Sequence, residues 1–274
     1  MPDSVPAAGV AFSASGGVAL GHAIFGLIEP HPGHERAWNR YYERDHLLAA
    51  GSCAPWTFST QRWVATRRHK DVRRPRENVI ASPYDKGTFL AGMWIHRDRL
   101  TEQQAWVAEQ MPILAAQGRT FEKRDVLSTT SYDFLGASLR DADGVPPELA
   151  LERRYPGIVL AWVERSPESS LEALGDALVG ETLPRFLEKS PTAQALCFTP
   201  LPKAAWWPKA APEVPGVGTR ILIALFSEVE PLEAWSDHYV SLLERLEASR
   251  RARALFIAPF VPVVPGIDPD PRNL

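Results

Sequence analysis

The chain has 274 residues, of which 45% are hydrophobic, and its 30 Lys and Arg residues nearly balance 33 Asp and Glu residues to a net charge of −3. This length and apolar content suffice for one large core or two smaller ones. The near-neutral charge gives no electrostatic reason to expect nucleic-acid or membrane-surface binding. No apolar run approaches the length of a membrane-spanning helix, so the sequence predicts none.

The first half of the chain predicts six elements in the order β-α-β-β-α-β. They are strand His22–Glu29, helix Glu35–Ala50, strand Phe58–Arg67, strand Thr88–His96, helix Thr101–Gln117 and strand Val126–Leu135. Thr101 followed by Gln104 has the spacing of a capping box at the start of the second helix.

The second half of the chain repeats this order. Gly87-Thr88 and Ala105-Trp106 return as Gly218-Thr219 and Ala234-Trp235, about 130 residues later, which is too long a period for a solenoid. The predicted elements are strand Ile158–Glu164, helix Ser170–Glu188, strand Ala193–Thr199, strand Thr219–Ser227, helix Leu232–Ser249 and strand Ala252–Val261.

Each copy has the ferredoxin-like order of elements, in which both helices cover one face of the sheet. Both faces of strand Thr88–His96 are apolar, so the uncovered faces of the two sheets should pack against each other. We predict an α+β protein in which two tandem ferredoxin-like domains close into a barrel within one chain. The predicted divisions are a flexible segment 1–20, domain 21–137, linker 138–156, domain 157–264 and tail 265–274.

The stretch Ala37–Leu48, AWNRYYERDHLL, together with the strand that follows it, resembles the dimeric α+β barrel superfamily. Within it the stretch is most similar to EthD-like domain proteins, in which an aromatic-rich helix ends in Glu/Asp-His-aliphatic-Pro. The first copy keeps His46 but has Leu48 in place of the proline. The second copy keeps Pro184 but has Thr182 in place of the histidine.

The resemblance implies a cofactor-independent enzyme that acts on a bulky, apolar small molecule bearing a carbonyl or a phenol. The implied reaction is an acid/base dehydration, cyclisation or isomerisation, which makes the enzyme a lyase or an isomerase. A cofactor-free monooxygenase of polyphenolic substrates is the alternative within the same superfamily. A non-catalytic ligand-binding or scaffold protein is the third interpretation.

His46 is the candidate general acid and base, because an imidazole exchanges protons near neutral pH. Trp38, Tyr42 and His46 fall on one stripe of the predicted helix. Tyr42 or Tyr41 would donate a hydrogen bond to the substrate oxygen. The alternative is that His46 only complements the dipole at a helix C-terminus.

Gly26 and Gly92 fall inside the two central strands of the first copy, where glycine often marks the close approach of a ligand or of another group. Close packing of a helix tryptophan onto them is the alternative. Their approximate counterparts in the second copy are bulkier, namely Ala161 or Trp162 and Ile223, so we expect any active site in the first copy. The other predicted substrate-binding residues are Trp38, Trp94, Trp106 and Arg62.

The sequence predicts no cofactor and no metal. No glycine-rich phosphate loop follows a strand, and no histidine is singled out as a haem ligand. His22 and His96 are expected at opposite ends of parallel strands, too far apart to share a metal ion. The basic loop from Arg67 to Arg76 could attract an anion or simply be solvated.

The expected partner is a small apolar or aromatic substrate, with no nucleic acid and no membrane, and a homodimer of such barrels is compatible with this architecture. Cys53 and Cys197 are too few for a disulfide framework, which favours a reducing compartment. The first residues, with Asp3 and no Lys or Arg before Gly17, do not resemble a signal peptide. We therefore expect a cytoplasmic protein.

Overall fold

A computed structural model describes residues 17–207, 209 and 213–274, so most of the segment predicted to be flexible lies outside the described residues. Eight strands form a closed barrel in the order β1-β3-β2-β8-β5-β7-β6-β4. All neighbouring pairs are antiparallel. The strands are β1 Leu20–Pro30, β2 Thr57–Val64, β3 Phe89–His96, β4 Arg124–Leu139, β5 Gly157–Arg165, β6 Thr192–Pro200, β7 Arg220–Ser227 and β8 Ala252–Pro262.

Each half of the barrel is one copy of the repeat. Strands β4-β1-β3-β2 form the first sheet and β8-β5-β7-β6 the second, and both have the ferredoxin-like strand order. The sheets join at two seams, a short one between β2 and β8 and a longer one between β4 and β6. The predicted α+β fold class, two ferredoxin-like units closed into a barrel within one chain, is confirmed.

The longer helices lie outside the barrel. In the first copy, α1 Glu35–Tyr41 continues as a π-helix over Tyr42–Ser52, and α2 Arg67–Asp71 and α3 Leu100–Ala116 follow. The second copy contains α4 Leu171–Ala177, a π-helix Leu178–Thr182, α5 Leu183–Leu187, a 3-10 turn Pro231–Ala234, a π-helix Trp235–Tyr239 and α6 Val240–Ala248. Short 3-10 turns cover Pro147–Leu149 and Pro271–Asn273.

Three of the predicted α-helices are therefore interrupted by π-turns. The sequence did not indicate these turns, because one extra residue per turn scarcely alters a hydrophobic pattern read over a short window. The predicted capping box is wrong. Helix α3 begins after Arg99 without a side-chain cap, and Gln104 instead donates from Nε2 to the Ser131 hydroxyl at 2.9 Å.

Inward-facing side chains from both sheets fill the barrel. Phe25 and Trp94 of the first copy contact Phe198 of the second, with ring centroids 5.5 and 5.4 Å from that of Phe198. Gly92 also faces inward, where an added Cβ would lie 3.1 Å from the Trp63 ring and 3.3 Å from the Phe25 ring. Gly92 thus makes room for an indole inside the barrel. From the sequence it was expected to face the helices, but it faces the opposite side of the sheet.

The predicted linker packs on the barrel core. Ala150, Leu151 and Tyr155 are buried among the inward-facing side chains, and Trp94 donates from Nε1 to the carbonyl oxygen of Pro147 at 3.0 Å. Strand β4 also continues two residues beyond the predicted domain boundary at residue 137. The linker is therefore a structural part of the barrel rather than a tether between two bodies.

Arg73 of the basic loop after β2 fastens the two copies together, whereas Arg67, Arg68, Arg74 and Arg76 are exposed. Arg73 is fully buried and donates to the backbone carbonyls of Tyr84, Lys86 and Gly87. Its guanidinium lies 5.1 Å from the ring centroid of Phe260 in the second copy. The Arg73 charge is therefore engaged within the fold, and the exposed arginines are the solvated part of the loop.

Replacing Gly92 with Leu should destabilise the protein by about 1–3 kcal/mol, because the added side chain overpacks the space held by Trp63 and Phe25. Urea unfolding measures the change. Gly180 is the matched control, since nothing lies within 4 Å of an added Cβ there. Gly180→Ala should leave stability unchanged or slightly raised. Wild-type stability in Gly92→Leu would contradict the inward orientation of Gly92.

Candidate functional site

The helix-facing sides of the two sheets are packed very differently. In the second copy, buried side chains including Leu174, Phe186 and Trp235 form a continuous core under the helices. The corresponding cluster in the described part of the first copy comprises Ile28, Trp38, Tyr42, Val64, Phe89 and Ala91. The helices of the first copy consequently enclose a cavity of about 250 Å³ against their sheet.

The cavity lies between strands β1, β3 and β4 and the helices of the first copy, and most of its lining is apolar. Gly26 lines it, and an added Cβ there would lie 3.2 Å from the Thr129 hydroxyl. A second cavity, of about 730 Å³, shares Arg124, Trp206 and Trp207 with the first and extends to Trp162 of the second copy. A ligand longer than one ring system therefore has space to extend past Arg124.

His46 lines the cavity from the π-helix Tyr42–Ser52. Residues five apart are separated by about 140° around an α-helix, whereas the wider π-turn brings them onto one face. Tyr41 and His46 accordingly stack, with ring centroids 5.6 Å apart and an interplanar angle of 26°. The helical segment continues to Ser52, so His46 is not at the helix C-terminus that the dipole alternative requires.

A hydrogen-bond chain assigns the tautomer of His46. The Tyr41 hydroxyl donates its single proton to the carbonyl oxygen of Arg119 at 3.2 Å. It can therefore only accept from Nδ1–H of His46, at 3.1 Å. Nε2 of the neutral imidazole then carries a lone pair, and no described residue hydrogen bonds to it.

Burial and, to a lesser extent, the nearby Arg124 cation lower the pKa of His46 from 6.5 to about 4, against the opposing effect of Asp45. The imidazole is therefore neutral at pH 7. Asp45 does not hold the imidazole, because its carboxylate accepts from Arg119 Nε at 3.0 Å. Tyr41 has that orienting role instead.

Arg124 is a cavity residue that sequence reasoning missed. It is the first residue of β4, just before the apolar run from which that strand was predicted. Its guanidinium lies 5.5 Å from the ring centroid of Trp38, and no described carboxylate forms an ion pair with it. An unpaired cation beside an apolar space is a ready partner for a negative charge on a ligand.

The structure separates the other predicted site residues into two groups. Trp38 and Tyr42 line the cavity, and burial raises the pKa of Tyr42 to about 12, so its phenol stays protonated. Trp94 faces the barrel interior with Gly92, and Trp106 is half-buried on α3 outside the cavity lining.

Arg62 reaches only a narrow crevice beside the cavity. It is buried, donates from Nη2 to Asn39 Oδ1 at 2.9 Å and lies 5.0 Å from the ring centroid of Tyr42. Burial lowers its pKa to about 10, so it remains a cation that supports the Tyr42 ring.

The expected counterparts in the second copy need correction. Ile223 faces the helices whereas Gly92 faces the barrel interior, so the two are not equivalent. Ala161 does share the helix-facing side with Gly26, whereas Trp162 faces inward. The Gly-Thr landmarks of the repeat are thus one residue out of step with the strand faces.

His22 and His96 lie at the same end of antiparallel strands, so the expectation that they lie at opposite ends is wrong. Each is engaged separately, His22 Nδ1 with Asp133 at 2.7 Å and His96 Nε2 with the carbonyl oxygen of Gly17 at 2.6 Å. In the described ranges no group of three or more His, Cys, Asp or Glu side chains could hold a metal ion. The same ranges contain no helix with the length and apolarity to cross a membrane.

His238 in the second copy is a useful comparison for His46. Its ring stacks on Phe186 with centroids 4.0 Å apart, and Nε2 hydrogen bonds to the Ser190 hydroxyl at 2.9 Å. Burial lowers its pKa to about 4 as well. It packs against the helix-facing core of the second copy and lines none of the cavities described above.

Both imidazoles should make the protein less stable in acid. Below about pH 6.5 the two imidazoles are protonated in the unfolded chain, whereas in the folded chain they stay neutral down to about pH 4. The free energy of unfolding therefore falls as the pH drops through this window. Each should cost on the order of 1–2 kcal/mol at pH 5 relative to pH 8, and less for the more exposed His238. Urea unfolding at both pH values should show this loss reduced in His46→Gln and in His238→Gln. An unchanged pH dependence in both variants would contradict neutral, buried imidazoles.

No protein-family model matches the chain, and no curated protein matches its sequence. Among solved structures, a chlorite dismutase candidate aligns with a TM-score of 0.51 at 11% identity, over 90% of this chain and 97% of its own. A monooxygenase candidate from Fusobacterium nucleatum gives 0.49 at 9% identity, over 92% and 98% of the two chains. An anthrone oxidase-like protein gives 0.48 at 12% identity, over 92% and 96%.

At these identities the similarity concerns the fold alone. The closer likeness to EthD-like domain proteins stays a prediction from the sequence. The closed strand order and the structural similarity together show that this chain has the fold of the dimeric α+β barrel superfamily, with both halves of the barrel supplied by one polypeptide.

Proposed function

We propose that this protein is an enzyme that takes a proton from a bulky, apolar small molecule bearing a phenol or a carbonyl and returns it elsewhere, without a cofactor. One observation carries the proposal. A neutral histidine with an unengaged Nε2 and an unpaired arginine line the same apolar cavity. This pairing provides a proton acceptor and a stabilising charge for the anion that forms.

In the proposed first step, a proton moves from a substrate O–H, or from a C–H next to a carbonyl, to Nε2 of His46. The electron pair stays on the substrate, which becomes a phenolate or an enolate whose charge the Arg124 guanidinium stabilises. A base as weak as His46 accepts this proton only where the anion is well stabilised. The substrate anion in turn raises the pKa of the imidazolium beside it.

In the second step the imidazolium returns its proton. Delivery to a different carbon completes an isomerisation. In a cyclisation, the enolate carbon first forms a C–C bond to a second carbonyl carbon of the same molecule, the C=O π bond opens to an alkoxide, and the proton goes to that oxygen. Delivery to a departing hydroxyl breaks the C–O bond and releases water, which completes a dehydration. The Tyr41 hydroxyl accepts from Nδ1–H throughout, so the imidazole keeps its orientation while Nε2 gains and loses the proton.

The apolar lining determines what kind of molecule carries these groups. Ile24, Met93 and Met111 line the cavity together with the Trp38 indole, and they favour a flat hydrocarbon skeleton. Trp94 and Gly92 have no part in this binding, because they lie on the inward face of the barrel.

Exchange of the α-protons of 2-tetralone in D₂O, followed by NMR, tests the proton transfer. His46→Gln should slow the catalysed exchange about 10²-fold or more, because the acceptor is lost. Arg124→Met should slow it by roughly 10²-fold, because the enolate loses its stabilising charge. His238→Gln is the matched control and should exchange at the wild-type rate. Wild-type exchange by folded His46→Gln would exclude His46 as the base.

The oxygenase alternative begins with the same substrate anion and then consumes O₂. Oxygen uptake with 1-naphthol, without added flavin or metal, would assign oxygenation, and proton exchange without uptake would favour acid/base chemistry. An absorbance spectrum of the purified protein belongs beside both assays, because it reveals a bound chromophore such as haem. Binding of 1-naphthol with neither exchange nor uptake would indicate a binding protein.

A further inference from the structure

We infer that the ligand of the first-copy cavity carries a hydrogen-bond donor directly beside an acceptor, and that the carboxamide of Gln103 binds both. This inference rests on the proposed function for its cavity and adds the substrate class to it. The class comprises flat apolar molecules with a carbonyl whose own carbon, or the next one, bears an N–H or O–H. Carboxamides, protonated carboxylic acids and hydroxy ketones belong to it.

The inference begins with a polar side chain that the fold leaves unsatisfied. Gln103 lies in the first turn of α3, is fully buried and lines the cavity. Neither its Oε1 nor its Nε2 has a hydrogen-bonding partner among the described residues. The adjacent Gln104 has such a partner, because it donates from Nε2 to the Ser131 hydroxyl at 2.9 Å.

Such a side chain is unfavourable for folding. Native proteins pair the large majority of their buried polar atoms, and an unpaired buried amide carries a desolvation penalty. A methionine has similar length and no such penalty at a position of this kind. A function in ligand binding would explain why a carboxamide is found there, because Gln103 lines the cavity that a ligand would enter.

A second unsatisfied group lines the same cavity. The indole Nε1 of Trp38 is buried and also lacks a partner among the described residues. An indole nitrogen can only donate, and a carboxamide donates from Nε2 and accepts at Oε1. The ligand must therefore offer a donor to Gln103 and acceptor lone pairs to Gln103 and Trp38. A carbonyl oxygen with an N–H or O–H beside it meets all three requirements.

This arrangement also suits the proposed chemistry. A carbonyl oxygen that accepts hydrogen bonds is polarised, and the C–H next to it becomes more acidic. Gln103 and Trp38 would thus position the substrate through the same oxygen on which the enolate charge develops. Arg124 then stabilises the charge from the junction of the two cavities.

Two probes of nearly equal size test the inference. The molecule 2-naphthamide offers a donor and an acceptor side by side, whereas 2-acetonaphthone has a methyl group in place of the amide nitrogen and offers only the acceptor. Wild-type protein should bind 2-naphthamide about tenfold more tightly in titration calorimetry. Gln103→Met should bind the two probes equally, through a loss of affinity for the amide. Equal affinity of the wild type for both probes, or binding of neither, would overturn the inference.

Gln104→Met is the matched control, because Gln104 lines the same cavity but its carboxamide already donates to Ser131 within the fold. It should keep the tenfold preference and lower the Tm, since it leaves the Ser131 hydroxyl without its donor. Gln103→Met should keep or raise the Tm, so a lower Tm in Gln103→Met would indicate a structural amide and contradict the inference.

The binding preference is independent of proton transfer. Loss of exchange in His46→Gln with the preference retained in Gln103→Met would refute the inference and leave the proposed function standing. Wild-type exchange in His46→Gln together with loss of the amide preference in Gln103→Met would refute the proposed function alone.

Discussion

The structure depends on the contact between the inward faces of the two sheets. Neither sheet could leave these faces in water, because Phe25, Trp63 and Trp94 on one side and Phe198 and Phe256 on the other are large and wholly apolar at the contact. Closing the barrel buries both faces at once. The barrel core and the tightly packed second copy then supply most of the stabilising burial. The helices of the first copy consequently need to contribute less to stability. This division is what permits a cavity beneath the first-copy helices.

The proposed base depends on a local departure from α-helical geometry. The π-turn stacks Tyr41 on His46, and Tyr41 is in turn fixed by its bond to the Arg119 backbone. A regular α-helix would point these two rings in different directions. The backbone thereby selects the tautomer of His46, with no carboxylate needed for that purpose.

The sequence was sufficient for the strands, the repeat and the barrel, because alternating apolar residues and a long internal period are direct consequences of that fold. The sequence was insufficient to assign the sheet face on which each strand residue lies. A shift of one residue moves a strand residue to the opposite face, and the Gly-Thr landmarks misassigned Gly92 and Ile223 in this way. Arg124 escaped notice because it precedes the apolar run of its strand. Gln103 escaped because a missing hydrogen-bond partner is a property of the tertiary structure and leaves no local pattern.

The single-chain barrel has a consequence for how such a protein can change over generations. In a symmetric dimer every substitution occurs twice, so a cavity and two unsatisfied polar side chains would appear in both halves and destabilise the protein doubly. Joining the halves through the segment 138–156 removes that constraint. One half is free to keep the tight core that stabilises the barrel, as Phe186 and Trp235 do here, while the other accumulates the locally unfavourable residues that ligand binding requires.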